Sequence, residues 1–133
     1  MQGRTLRAIA RWSLPVLLGL NGAVMMAVPA QWYPAVPGVI LTGPYNGHFI
    51  RDIGAAYLAT AGGLGWWAID RRAGLSGAFV AAVFLDLHAA IHLITPFVPG
   101  CGGRPVHDLI RDFAGVFLPA IAASLIVWRG FKR

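Results

Sequence analysis

Two pairs of residues in this chain have the spacing of a ligand set. His48 and Asp52 stand four positions apart, and so do His88 and His92. On an α-helix positions i and i+4 share one face, so each pair can aim two side chains at one ion or one proton. Three imidazoles and a carboxylate suit a copper, zinc or iron ion, and the sulfur atoms of Met25 and Met26 would favour copper as auxiliary ligands. A haem held between paired histidines is a further use of the same residues. No nucleophile elbow, phosphate loop, Cys-x-x-Cys or zinc-protease helix occurs, so soluble-enzyme chemistry is unsupported.

The same stretches carry a repeat. Ile-Arg-Asp occurs at 50–52 and again at 110–112, each time shortly after a histidine, His48 or His107. If the two copies face each other, Arg51 meets Asp112 and Arg111 meets Asp52 in one ion-pair cluster. Such a cluster would tie helix starts together without binding anything, which is the structural alternative to a ligand site. Of the histidines, His107 is expected nearest the surface and is the weakest candidate. Asp86 lies two positions from His88, about 200° around a helix, so it belongs to another face. Its expected partner is Asn21, either as a polar lock between helices or as part of a proton or substrate path.

The elements that must position these groups follow from composition. The 133 residues are 57% hydrophobic and 12% charged, half the roughly 25% charge of a soluble domain, and mean hydropathy is +0.65. Seventeen glycines and nine prolines punctuate apolar segments rather than a polar low-complexity tract, and the single Cys101 has no partner for an internal disulfide. Four segments approach the roughly 20 apolar residues that a bilayer requires: about 12–30, 48–69, 75–95 and 106–128. Sheet is excluded there, because unpaired backbone at lipid depth costs several kcal/mol per group. The fold class expected is therefore all-α, one integral-membrane four-helix bundle.

Basic residues give the orientation. Arg4, Arg7, Arg11, Arg71, Arg72, Arg129, Lys132 and Arg133 fall at one set of helix ends, against Arg51, Arg104 and Arg111 at the other. By the positive-inside rule both termini are cytoplasmic. The net charge of +6 then reports topology and attraction to anionic lipid, and nucleic-acid binding is not expected. Residues 1–30 also have the layout of a signal peptide, although the apolar run is long for one; cleavage would leave three spans. All four histidines and four of the five aspartates fall toward the outer side, where ionisable groups at membrane depth mark functional candidates.

Further features concern packing. The position of each Ile-Arg-Asp at the outward start of the second helix of a hairpin fits a parallel duplication of a helical hairpin. Ala55, Ala59 and Gly63 form a small-residue stripe for close helix contact, and Pro119 should kink the last helix. Trp12, Trp32, Tyr33, Tyr45, Trp66, Trp67 and Trp128 read as aromatic belts. The apolar loop "QWYPAVPGVILTGPYNG" lies in the interface, folds over the polar cluster as a lid, or docks a partner.

"FIRDIGAAYLATAGGLG" and the histidine-bearing "DLHAAIHL", in a layout of four short spans, resemble the small DoxX-like bacterial inner-membrane proteins. The resemblance implies a four-helix bundle, an inner-membrane location and a link to redox or respiratory complexes; it brings no catalytic residues. The readings that follow are an accessory or structural subunit of a membrane complex, partnered by other subunits or by a second copy; a metal or haem protein; and a small transporter or proton-conducting element.

Overall fold

A computed structural model of the chain describes residues 2–98 and 104–132, apart from the side chains of Gln2 and Arg7. Cys101, Arg133 and the middle of the Pro96–Pro105 turn lie outside the described residues. Helices account for nearly all of the rest, and no strand occurs among the described residues. They are α1 (Gln2–Ala27), α2 (Pro29–Ala35), α3 (Gly47–Ile69), α4 (Leu75–Ile94), α5 (Pro105–Asp112) and α6 (Leu118–Phe131). A π turn, Phe113–Phe117, joins α5 to α6, and short 3-10 turns occupy Val39–Thr42 and Thr95–Phe97.

Local chemistry sets the boundaries. Val28 precedes Pro29 and so is pushed out of the helical region, to φ −136° and ψ 56°. The expected first span, 12–30, therefore ends early, at Ala27, and Pro29 opens α2 at the position where its missing N–H costs nothing. Asn46 caps α3, its side chain accepting from the backbone N–H of His48 and of Phe49 at 3.1 Å each. At the other end of α3 the Asp70 carboxylate accepts from Arg72 N–H (2.8 Å) and Ala73 N–H (3.0 Å), which fixes the turn into α4. Those two bonds hold the Asp70 carboxyl below its ordinary pKa, with the Ala73 N–H the larger cause.

Among the described residues three segments are long and apolar enough to cross a membrane: Gly3–Ala27, Leu75–Phe97 and Pro105–Phe131. α3 has 23 residues but four of its positions are glycine beyond the first, and it carries Arg51 and Asp52. Large apolar side chains such as Leu17, Leu20, Val80, Leu87 and Leu125 point outward, as lipid contact requires.

The long helices run alternately up and down and pack as sequential neighbours. α1 lies on α3, α3 on α4, and α4 on α6; among the described residues α1 makes no comparable contact with α4 or α6. The result is a row rather than a ring closed around a polar centre. Glycine sets two of the spacings: a Cβ on Gly22 would come 2.8 Å from Gly54 O, and one on Gly63 would come 2.5 Å from Gly77 O. Between the helices lies one apolar core that includes Leu18, Met25, Tyr57, Leu64, Leu85 and Ala123. Of the expected stripe only Gly63 reaches this seam. Ala55 and Ala59 are exposed, whereas Gly54, Tyr57, Leu64 and Ala68 are buried, because the side of α3 that meets its neighbours is set by Gly22 and Gly77.

Two ends of the row can be distinguished. One holds Arg11, whose Nη1 donates to Ala68 O at 3.3 Å, the Asp70–Gly74 turn and the end of α6, where Phe131 meets Phe79 edge to face. The other holds the histidines. These are called the arginine end and the histidine end below.

Candidate functional site

The polar chemistry of the histidine end is organised along α4. His88 and His92 are one turn apart on the same face, with ring centroids 4.7 Å apart. The His88 ring stacks on Phe84 (5.9 Å, 15°), and its Nε2 is 3.2 Å from the hydroxyl of Tyr57 on α3. Tyr57 is itself buried, edge-on to Phe84. On the other side His92 Nδ1 lies 2.7 Å from Asp112 Oδ2, in a pair whose side chains are 32% and 10% exposed. Arg111 then donates from Nε to Asp112 Oδ1 at 2.9 Å and from Nη1 to Asp108 Oδ1 at 2.8 Å. Asp108 Oδ2 accepts from the Arg104 N–H (3.2 Å), and an acidic side chain in the first turn of α5 complements the helix dipole. His107 is a peripheral member, 3.6 Å from Asp108 and 62% exposed. One line of side chains thus runs from Tyr57, inside the α3–α4 seam, through His88, His92, Asp112 and Arg111 to the surface.

The backbone places Asp112 in this line through the π turn. In an uninterrupted α-helix Asp112 and Ala120, eight positions apart, would be about 80° out of alignment. Both are buried, Asp112 at His92 and Ala120 in the α4–α6 seam. The wider turn at Phe113–Phe117 unwinds the helix enough to bring them to the same neighbour. Pro119, just beyond, withholds an N–H from this stretch, so the kink expected there takes the form of a π turn.

The apolar loop covers the outer part of the line. Gly38 has φ +86°, and a Cβ there would overlap the Arg111 guanidinium, so only glycine lets the backbone rest on that group. α2 is held down by Trp32, whose Nε1 donates to Asn21 Oδ1 at 3.0 Å. Tyr33 closes the rest of the loop by donating its hydroxyl to Gly43 O and stacking edge-on against Tyr45 (5.6 Å).

Several expected partnerships do not form. His48 and Asp52 face each other at 3.6 Å but are 89% and 61% exposed. Tyr57, which faces His88, is nine positions after His48, and nine steps of about 100° put the two on opposite sides of α3. His48, Asp52, His88 and His92 therefore do not converge, and among the described residues no three His, Cys, Asp or Glu side chains are grouped to hold a metal ion. Nor do the methionines join the histidines. Met25 is buried against Gly54, with Asn21 Nδ2 3.5 Å from its sulfur, and Met26 is half exposed.

The reciprocal ion pairs are also absent. Arg51 Nε donates to Met26 O at 3.2 Å, satisfying a carbonyl at the end of α1, and Arg111 is bound to its own helix's aspartates. The cause is the row: α4 stands between α3 and α5–α6, so the two Ile-Arg-Asp copies never meet. For the same reason Asp86 does not reach Asn21. Its Oδ2 accepts from Ser124 Oγ on α6 at 2.7 Å. Sequence reasoning missed Tyr57 and Gly38; a lone tyrosine in the middle of an apolar helix was the available signal for the first.

Comparison of the chain with protein-family models, with curated proteins and with solved structures gives no match.

Proposed function

We propose that the chain is a small multi-pass subunit of a bacterial inner-membrane complex that supplies a proton half-path, from the outer face to the middle of the membrane. The observation that carries this reading is the series of contacts Tyr57, His88, His92, Asp112 and Arg111. Imidazole, carboxyl and phenol groups each accept and release a proton. Three of the four links are within hydrogen-bond reach, and the two imidazoles pack ring against ring, so a small ring rotation or one water completes the step between them.

The path is a half-path on this reading because of where it stops. Tyr57 lies ten residues into α3, about 15 Å from the histidine end. Beyond it comes Thr60, whose hydroxyl is committed to Ala56 O at 2.7 Å on its own helix, and then Leu64, Ala68, Ala78 and Ala81, none of which carries a proton. A path that ends mid-membrane delivers protons to something that reacts there, which favours a subunit over a free-standing channel. The four-span bundle with both termini cytoplasmic belongs to this proposal, as does the assignment of the histidine end to the outer side. A metal or haem function is not carried forward, since the His48–Asp52 pair lies apart from the His88–His92 pair.

The test is histidine-selective NMR on the protein in lipid nanodiscs. His88 should titrate with bulk pH, and His92→Phe should disconnect it. A His88 signal that ignores both pH and His92→Phe would sink the proposal. Purification in mild detergent should bring down a stoichiometric membrane partner.

A further inference from the structure

The opposite face of α4 carries a separate feature that the histidine line does not use. Asp86 and His88 are about 200° apart on the helix, so Asp86 opens on the α6 side. There it borders a cleft of about 340 Å³ between α4 and α6, walled by Ala89, Ala90, Leu93, Phe117, Ala120 and Ile121. Ser124 donates to Asp86 Oδ2 at 2.7 Å, and no other donor among the described residues reaches the carboxyl group. Asp86 is exposed at this surface and lies eleven residues into α4, about 17 Å along, near the middle of a candidate membrane span. A carboxylate at such depth costs a few kcal/mol unless it is paired.

We propose that this cleft binds an apolar amine in its protonated form, with Asp86 as the counter-ion. Charge complementarity selects the class. The walls are hydrocarbon and the one ionisable group is an acid, so the occupant has an apolar body and a single cationic head that donates to Asp86. No Lys or Arg occurs in α4, and the only one in α6 is Arg129, near its end, so no side chain of these two helices takes the role. The volume stands at the lower end of the 300–1,000 Å³ range of small-molecule sites. From Asp86 to Leu93 the cleft runs about 10 Å along α4, two turns, which is short for a docked helix. Its depth separates it from the headgroup amines of lipids.

The test uses 1-naphthylmethylamine as a fluorescent probe and 1-methylnaphthalene as its uncharged counterpart, on purified protein in detergent. The amine should bind saturably, with affinity reduced at least tenfold in Asp86→Asn and in Ala90→Leu, which fills the cleft and keeps the acid. The hydrocarbon should partition equally into all three proteins. Equal amine binding by wild type and Asp86→Asn overturns the proposal, and so does full binding by Ala90→Leu. A readout on the wild-type protein alone stands beside these variants: the amine should slow modification of Asp86 by dicyclohexylcarbodiimide, and an unchanged rate means a carboxyl that binds only protons.

Discussion

At Asp112 three donors converge on one carboxylate, and their loss should be felt together. His92 Nδ1 and two nitrogens of Arg111 all approach it within hydrogen-bond distance. Asp112→Asn keeps the shape but removes the charge, and should lower stability by roughly 2 kcal/mol, as for other hydrogen bonds to a charged group. Unfolding by SDS in mixed micelles measures it. Gly38→Ala should also destabilise, by at least about 1 kcal/mol, since the left-handed conformation and the Arg111 guanidinium both exclude a Cβ. Asp70 gives the pH effect. Its folded pKa is lowered by the Ala73 and Arg72 N–H groups, so its stabilisation is complete above the ordinary carboxyl pKa and is lost as pH falls through the folded value. Hydrogen exchange at the Arg72 and Ala73 amides should accelerate through that acid range in the wild type and show no such step in Asp70→Asn. An exchange profile identical in the two proteins would contradict the assignment.

Helix crossings are decided at the scale of the element, and here two neighbouring glycines provide a controlled comparison. Gly63 sits against the backbone of Gly77, whereas a Cβ on Gly62 meets nothing within 4 Å. Gly63→Val should therefore force α3 and α4 apart at a cost of about 2 kcal/mol, while Gly62→Val stays within about 0.5 kcal/mol. Equal effects in SDS unfolding would show that the crossing does not depend on Gly63. This is also where the sequence was hardest to read. The helices themselves were legible from apolar runs bounded by Asn46, Asp70, Pro96 and Pro105, but their rotation was not. In α3 nearly every side is apolar or small, so periodicity does not separate the packed face from the open one. The Ala55–Ala59–Gly63 stripe was a fair reading of a pattern whose neighbour, Gly54–Ala61, shared its character. The π turn was equally hidden: Pro119 announces a disturbance, but only the need to bring Asp112 and Ala120 to one neighbour shows what form it takes.

For the whole molecule, the order in which helices stand beside one another decides which polar residues meet. The sequence puts the four histidines and four of the five aspartates toward one side, and in the described structure all but Asp86, which lies near the middle of α4, stand at the histidine end, with Asp70 at the other. The structure separates His48 and Asp52 from His88 and His92 because a row gives α3 two sides, one toward α4 and one away from it. The proposed orientation predicts a clean labelling pattern in proteoliposomes. With Cys101 replaced by alanine, a cysteine at Tyr45 and one at Arg72 should react with an impermeant maleimide from opposite sides of the membrane. Reaction of both from the same side would reject the arrangement of spans.

Each long helix in the row rests on the one synthesised just before it, so the helix packing joins neighbouring stretches of chain, and the contact of Gly38 with Arg111 is the distant one left to form last among the described residues. α3 can settle on α1 while α4 is still in the ribosome, and α6 adds to a surface that is already complete. Folding of this kind has low contact order and little loop-closure entropy to overcome, so assembly should keep pace with insertion. The outermost segment, α5 with the π turn and α6, is then the last to arrive and the first that can be lost, and it is the one that brings Asp112 to His92 and Ser124 to Asp86.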